Sequence, residues 1–475
     1  MANISDYKKP IWRLTTKERR FILLLGDLLT VSIALFFSLF FWAQKDQWMN
    51  FSWQSLYERI PGWYYLLPII WLVLLVELYD VRKASRRQDT FHVIAMATVV
   101  SSALYMMIFF LSEPNTLPRR GVAGFIVAAT ILTLLWRLLY IKVFTANLFM
   151  RRVLIIGAGR SGSTLAKIIQ SGAWPLPYIL VGFIDDDRKK IGKKDAGIPV
   201  LGDGKKMLKI IEKEHISDLI FSISGEIKPG TYKAILAAVE NGIEVTTMPI
   251  VYENLQGRVP IFLLDGDWVL RSFVDQAHSS GSYEMLKRLF DIIGASIGLI
   301  ILAILYPLIS LLILVDSGFP VIFKQKRLGK SGRSFELLKF RTMIQDAEKD
   351  GKAKLAVEND ERVTRVGRFL RRSHLDELLQ FINVLRGEMS LVGPRAERPE
   401  LINQLQGNIP FYRARLFVKP GVTGWAQINY RYATDVKESA IKLEYDLYYI
   451  KHRNLILDIL ILIRTIGAVF GLRGL

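Results

Sequence analysis

Cysteine is absent from all 475 residues, which removes disulfides, thiolate nucleophiles and cysteine metal sites together. Histidine is scarce: the five present are scattered and show no metal-ligand spacing. Negative charge is also in short supply. Against 63 Lys and Arg stand 44 Asp and Glu, a formal net charge of +19 and a pI near 9.8. Such an excess favours anionic lipid, phosphate esters or nucleic acid as partners. Apolar residues, by contrast, make up 51% of the chain, with a mean hydropathy of +0.26, too much for an ordinary water-soluble protein of this length. A membrane protein is expected, with lipid and phosphate rather than nucleic acid as partners.

Residues 1–150 hold four apolar stretches near the ~20 residues a bilayer requires: Phe21 to Ala43, Trp63 to Tyr79, Phe91 to Leu111, and Gly121 to about Phe149. A four-helix transmembrane bundle is predicted. The first stretch follows a basic start (Lys8, Lys9, Arg13, Lys17, Arg19, Arg20), but it is too long for a signal peptide and no small-residue cleavage site follows. It reads as a retained helix. Basic residues in "DVRKASRRQD" and at Arg151-Arg152 place both chain ends on the inner side, with Arg119 and Arg120 as exceptions. Asp27, inside the first span, reads as a helix-packing partner or as a functional intramembrane acid, the former preferred.

Residues 151–275 read as a Rossmann-like α/β domain. "RRVLIIGAGRSGSTLAKIIQ" is a strand, a glycine turn and a helix, with Gly157, Gly159 and Gly162 matching G-x-G-x-x-G, an arrangement that can hold a pyrophosphate at the helix start. "YILVGFIDDD", "GIPVLGD", "ISDLIFSI" and "GIEVTTMP" supply further strands, and Asp185 to Asp187 lie somewhat beyond the spacing of a ribose-binding acid. Glycines that serve packing alone are the plain alternative.

Residues 276–475 read as an α-rich catalytic domain. The apolar run from Ile292 to Val315 contains Pro307, which breaks a helix interior. Lys287 and Arg288 precede it; Lys324, Lys326, Arg327, Lys330 and Arg333 follow, and both basic flanks favour the same leaflet. A kinked, re-entrant helix over about 286–316 satisfies this; a spanning helix would export the charged C-terminal domain. "LILDILILIRTIGAVFGLRGL" reads as an interfacial amphipathic helix or a plain core helix. In "RRSHLDELLQFINVLRGEMSLVGPR", Ser373 and Asp376 have capping-box spacing, and Leu375, Leu378, Leu379, Ile382 and Leu385 recur at helical spacing. Two acids in a first helical turn need no role beyond the helix dipole.

"KRLFDI", the proline-broken helix, "KFRTM", the acid-pair segment with its Gly-Pro-Arg, and "KPGVTGWAQI" occur in one order over the last part of the chain. Together they resemble the monotopic phosphoglycosyl transferases, the polyprenyl-phosphate sugar-1-phosphate transferases of bacterial glycan assembly. The leading spans and Rossmann-like module resemble the long form of that family. The resemblance implies a multi-pass inner-membrane enzyme with cytoplasmic Rossmann-like and catalytic domains. It would move a sugar 1-phosphate, a hexose 1-phosphate above others, from a UDP-sugar to polyprenyl (undecaprenyl) phosphate, releasing UMP and initiating exopolysaccharide, capsule or O-antigen assembly. Asp376 would be the nucleophile, forming a phospho-aspartyl intermediate, and Glu377 would help hold Mg²⁺; adjacent helical residues point about 100° apart and suit different tasks. A carboxylate attacking a diphosphate requires positive charge around it. Lys339, Arg341, Arg371 and Arg395 are candidates, and Asp446 sits where the family carries another acid. Anionic membrane lipid and a second copy of the chain complete the expected partners. The chain departs from the family at Tyr306, at Ala396 with "ERPE", and at the closing "GLRGL". Two rivals remain: a membrane-anchored nucleotide-sugar dehydratase or epimerase, for which Tyr283 and Lys287 have Tyr-x-x-x-Lys spacing, and a non-enzymatic scaffold or sensor.

Overall fold

The computed structural model describes residues 16–45, 62–79, 81–111, 119–144, 151–171, 178–223, 225–264, 281–344, 362–430 and 435–470. The loop between the first two spans, the end of the fourth, the expected 275/276 domain boundary and the final "GLRGL" lie outside them. The chain divides into two compact units, Met1–Met248 and Pro249–Leu475. Residues following the sheet domain belong to the second unit: the Val259 N–H donates to the Glu444 carbonyl at 3.0 Å, and the Trp425 indole donates to the Gly257 carbonyl at 2.8 Å.

In the first unit, α1 (Thr16–Lys45), α2 (Arg87–Leu111) and α3 (Arg119–Phe144) are each long and apolar enough to cross a membrane. The second expected span is corrected. It is a 3₁₀ turn (Gly62–Leu66), an eight-residue helix (Leu67–Leu74) and a second 3₁₀ turn (Val76–Tyr79). Pro68 fixes the start of the short helix, where its missing N–H costs nothing. Beyond it the Leu78 carbonyl turns to accept from the Arg137 guanidinium at 2.9 Å. Arg137 also pairs with Asp27, and both side chains are fully buried. Asp27 is therefore a packing partner, and removing either charge would strand the other at a cost of roughly 3–5 kcal/mol.

The same unit carries a six-stranded sheet of β1 (Arg151–Ile156), β2 (Tyr178–Ile184), β3 (Lys194–Asp195), β4 (Ile198–Gly202), β5 (Asp218–Phe221) and β6 (Glu244–Thr247). Its order is β3-β4-β2-β1-β5-β6, parallel except for β3 against β4. Val153 to Ile156 are completely buried, as a central parallel strand covered on both faces demands. Helix α4 (Arg160–Gln170) follows β1, giving the Rossmann-like strand, turn and helix.

The second unit is built on α5 (Gly281–Ser317), assigned as one helix through Pro307. Near its start, Arg288 donates to the Val384 and Leu385 carbonyls, both at 2.7 Å, and Asp291 accepts from the Ser390 hydroxyl and the Leu391 N–H, both at 2.9 Å. At its end, Asp316 accepts from the Val366 N–H at 3.0 Å, and the Ser317 carbonyl accepts from Arg341 at 2.6 Å. Leu302, Ile309 and Ile313 pack between, with Phe340, Leu370 and Leu379. The opposite stripe, Ile293, Ile297, Ile300, Ile304, Leu308, Leu311 and Val315, stays exposed. A helix with one apolar face on a polar fold and another left outward is suited to lipid. Hairpin β7 (Ile322–Leu328) and β8 (Ser334–Phe340) follows, then α6 (Arg365–Arg372), α7 (Gln380–Leu385) and the parallel pair β9 (Ser390–Val392) and β10 (Gly421–Thr423). Helices α8 (Val436–His452) and α9 (Leu455–Phe470) close the fold. Ile461 of α9 is buried in the core while Ile456 is exposed, so a core face and an outward apolar edge coexist on it.

Candidate active site

The acid pair owes its position to a broken helix. Thr364 caps α6, its hydroxyl accepting from the Gly367 N–H at 2.9 Å. The expected capping box at Ser373 and Asp376 does not form: the Ser373 hydroxyl donates backwards, to the Phe369 carbonyl at 2.9 Å. His374 then takes the left-handed conformation at φ 54°, which ends α6 and turns the chain. The helix expected from Leu375 to Leu385 is split accordingly, into a 3₁₀ turn at Leu375–Glu377 and the separate α7. That turn buries both carboxylates, leaving Asp376 7% and Glu377 8% exposed. Acids serving only a helix dipole would remain in water.

The two carboxylates differ in their surroundings. Glu377 Oε1 accepts from Lys339 Nζ at 2.6 Å and from Arg395 Nη2 at 3.1 Å. Burial alone would raise its pKa, but the Lys339 ammonium and the Arg395 guanidinium outweigh burial and hold it well below the ordinary range. Asp376 makes no side-chain hydrogen bond or ion pair among the described residues. Burial raises its pKa; Lys339 opposes this, the charge on Glu377 adds to it, and Arg371 and Arg395 oppose it further. Glu377 is thus a satisfied anion, and Asp376 a buried carboxyl surrounded by cations and bonded to none.

Each cation is placed by a framework with no local signature in the sequence. Lys339 stands on β8, and the fully buried Asn383 of α7 pegs that strand: it accepts from the Leu338 N–H at 3.1 Å and donates to the Glu336 carbonyl at 2.7 Å. Asn383 thereby ties the helix after the acid pair to the strand that presents Lys339. Arg371, on α6, donates through Nε to the Thr342 hydroxyl at 2.9 Å. Arg395 follows β9, where the backbones of "LVGPR" and "KPGVTG" cross closely. A Cβ on Gly421 would lie 2.1 Å from the Gly393 nitrogen, so only glycine permits the approach. Arg341 is directed elsewhere, to the Ser317 and Gly318 carbonyls.

Among the described residues Asp446 forms no hydrogen bond or ion pair with the acid pair or with Lys339, Arg371 or Arg395. It is 1% exposed and accepts from Arg415 at 2.7 Å, within a buried network that sequence reasoning missed. Glu397 lies 2.9 Å from Lys442, 3.5 Å from Arg415 and 3.8 Å from Arg327. Burial would raise Glu397, but Lys442 and Arg415 overcome it and bring its pKa to about 2. Arg415 also donates to the Arg395 carbonyl at 3.4 Å, so this network braces the loop carrying Arg395 from behind. It also accounts for the first Glu of "ERPE".

Tyr283 and Lys287 both converge on the fully buried Asp458, at 3.3 and 2.8 Å, a packing arrangement that the Tyr449 hydroxyl completes at 2.8 Å. In the sheet domain, Gly157 has φ 107°, and a Cβ on Gly162 would lie 2.1 Å from the Gly157 carbonyl oxygen, so both glycines serve the tight turn. Gly159 caps α4 and has open space around it. The Ala158 N–H between them donates at 2.9 Å to Asp185, which also accepts from Lys190 at 3.0 Å.

Among the described residues no three His, Cys, Asp or Glu side chains converge as a metal cage. One buried glutamate beside an aspartate fits an ion that takes its other ligands from phosphate and water.

Residues 282–472 match the family model described as bacterial sugar transferase, and residues 74–228 the one described as CoA-binding domain. The chain is 42% identical over 226 residues to UDP-N-acetylgalactosamine-undecaprenyl-phosphate N-acetylgalactosaminephosphotransferase of Aeromonas hydrophila, a match covering 47% of this chain and about half, 52%, of that relative. It is 30% identical over 337 residues to UDP-glucose:undecaprenyl-phosphate glucose-1-phosphate transferase of Xanthomonas campestris pv. campestris, covering 69% and 68% of the two chains. To UDP-galactose-lipid carrier transferase of Erwinia amylovora it is 32% identical over 355 residues, covering 69% and 70%. With apolar helices, a Rossmann-like sheet and the acid-pair domain in one chain, and two relatives matched over two thirds of their length, the chain belongs to the bacterial sugar transferase family of polyprenyl-phosphate sugar-1-phosphate transferases.

Proposed function

We propose that this membrane protein transfers a hexose 1-phosphate from a UDP-sugar to polyprenyl phosphate, using Asp376 as a covalent nucleophile. The observation that carries the proposal is the asymmetry of the acid pair: Glu377 is held by Lys339 and Arg395, whereas Asp376, beside the same cations, is bonded to nothing among the described residues. In the first step the Asp376 carboxylate attacks the sugar-bearing phosphorus, the bond from that phosphorus to the bridging oxygen breaks, and UMP leaves with the electron pair. In the second, an oxygen of polyprenyl phosphate attacks the same phosphorus, the acyl-phosphate bond breaks and the carboxylate returns. Lys339, Arg371 and Arg395 offset the phosphate charge that repels an attacking carboxylate. Glu377, with the substrate phosphates, would hold Mg²⁺, which when bound neutralises charge on the diphosphate. Incubating the purified protein with Mg²⁺, polyprenyl phosphate and each of a panel of UDP-sugars should release UMP with a hexose donor. Release with none of them would overturn the proposal.

The proposal places the catalytic domain on the cytoplasmic face of a bacterial inner membrane, with α5 entering and leaving on that face. Support comes from α5 itself. A straight helix of its 37 residues would be about 55 Å long, well beyond the ~30 Å hydrocarbon core. Yet Arg288 near one end and Asp316 at the other both bond to the same polar domain. Cysteines introduced at Lys287 and Lys326 in this cysteine-free chain should both resist a membrane-impermeant thiol reagent added to intact cells. Labelling of one and not the other would mean a spanning helix.

A further inference from the structure

A second basic site lies at the start of α5, in a cavity of about 90 Å³. Its walls carry five cations, Lys287, Arg288, Lys330, Lys419 and Arg453, against two carboxylates, Glu284 and Asp291. Much of this charge is already matched. Lys287 pairs with Asp458 at 2.8 Å and Arg453 with Glu284 at 3.5 Å, while Asp291, which accepts from Ser390 and the Leu391 N–H, supplies one negative charge against the cations that remain. Among the described residues the Arg288 side chain donates only to two neutral carbonyls, and the side chains of Lys419 and Lys330 form no hydrogen bond or ion pair. Lys419 Nζ and Arg288 Nη2 converge: a Cβ built on Gly387 would lie 3.6 and 3.8 Å from them. Two cations close together and partly withdrawn from water repel each other unless an anion joins them. In keeping with that, burial lowers the pKa of Lys419 and the Arg288 charge lowers it further, Asp291 and Glu284 opposing the fall and Lys330 adding to it.

We propose that the Arg288, Lys330 and Lys419 cluster is an anion site, separate from the acid pair, that takes a phosphate group. A guanidinium fork beside an ammonium suits a tetrahedral phosphoryl group, which accepts from both. The cavity far exceeds the roughly 10–15 Å³ that one water requires, so it has room for several heavy atoms. Two sources supply this chemistry. One is a phospholipid headgroup, since Met285 and Leu289, 71% and 55% exposed, begin the outward apolar stripe on the same end of α5. The other is soluble phosphate or a phosphate ester. The inference does not depend on the proposed reaction.

The test uses the full-length protein in a phosphate-free maltoside detergent. One arm titrates inorganic phosphate and follows the melting temperature; the other counts phospholipids retained after detergent exchange by native mass spectrometry. For a soluble source, phosphate should raise the melting temperature, Lys419→Ala should weaken the apparent affinity about tenfold, and Lys419→Arg should restore it. For a lipid source, Lys419→Ala should lose a phospholipid that the wild type and Lys419→Arg retain. Lys339→Met, at the acid pair, should leave either effect in place. Should Lys419→Ala fold poorly, Lys419→Met keeps the apolar stem and serves as the charge deletion. The proposal is overturned if the charge deletion matches wild type in both arms, or if Lys339→Met rather than Lys419→Ala removes the effect.

Discussion

Two stretches of this chain have the composition of a phosphate-handling site, the glycine turn after β1 and the acid pair after α6, and the structure treats them in opposite ways. At the glycine turn the Ala158 N–H is already met by Asp185, and the Asp185 charge by Lys190. At the acid pair, Lys339, Arg371 and Arg395 surround a carboxylate that none of them bonds. A site whose polar groups are mutually satisfied needs no ligand for its stability. One that holds a buried, unbonded carboxylate bears a desolvation cost that a passive role does not explain. The mutually satisfied groups of the glycine turn point to architecture, and the unbonded Asp376 to chemistry.

The largest test of that contrast is Asp376→Asn. An amide is not a competent nucleophile, so a folded Asp376→Asn protein should lose exchange of labelled UMP into UDP-sugar in the absence of lipid acceptor, as well as any covalent sugar-phosphate adduct. Near-normal exchange would falsify the nucleophile assignment. A smaller loss is expected on the cationic side: Lys339→Met should lower the exchange rate about 10²–10³-fold, the usual consequence of removing one fixed charge from a transition state. An effect under tenfold would make Lys339 only the counter-ion of Glu377.

The acids, the glycines and the flanking cations were visible in the sequence because each belongs to a short pattern. So were the strands: "VLII" and "DLIF" are apolar runs of the length that a covered parallel sheet requires. What stayed hidden depends on residues far apart. Nothing local marks Asn383 as the peg of a strand 45 residues earlier, nor Arg415 as the partner of an aspartate 31 residues later. The break at the acid pair is hidden because Ser-x-x-Asp spacing argues for a helix starting at Ser373 and leucine periodicity for one helix running on from there to Leu385. The left-handed turn falls on His374, where no glycine announces it. The second span is hidden for a related reason: hydropathy reports a tendency to leave water, and it cannot show that Arg137 draws off the Leu78 carbonyl in the 3₁₀ turn that follows a short helix.

The glycine turn supplies the reverse test. Asp185→Ala removes the acceptor for Ala158 and the counter-ion of Lys190, so it should destabilise the sheet domain by roughly 1–3 kcal/mol, read as a lower melting temperature. UMP exchange by the protein that remains folded should change less than about twofold. A loss of exchange comparable to that of Asp376→Asn would mean that the sheet domain takes part in the chemistry, and the contrast between the two sites would collapse.

The smallest effect is a difference in slope, and it asks whether matched and unmatched charge can be told apart within the C-terminal unit alone. Glu397, with three cations nearby, has its pKa lowered to about 2, whereas burial raises Glu444 to about 7, the single Arg258 guanidinium at 3.4 Å being too little to offset it. Both start from 4.5 in the unfolded chain. The signs are therefore opposite. For Glu397 the folded state binds fewer protons, so its contribution is fully present above pH 4.5 and is lost as pH falls towards 2. For Glu444 the folded state holds the proton more tightly, so stability is greatest below pH 4.5 and declines as pH rises through about 7. Between pH 5 and 8 in detergent, Glu444→Gln should flatten the fall in melting temperature, because a neutral amide takes the place of a carboxyl that resists ionisation. Glu397→Gln should instead lower the melting temperature by a similar amount throughout, leaving the buried Arg415 and the partly buried Arg327 and Lys442 short of an anion. Parallel curves for Glu444→Gln and wild type would show that Arg258 does match that charge, and that counting nearby cations does not separate the two kinds of site.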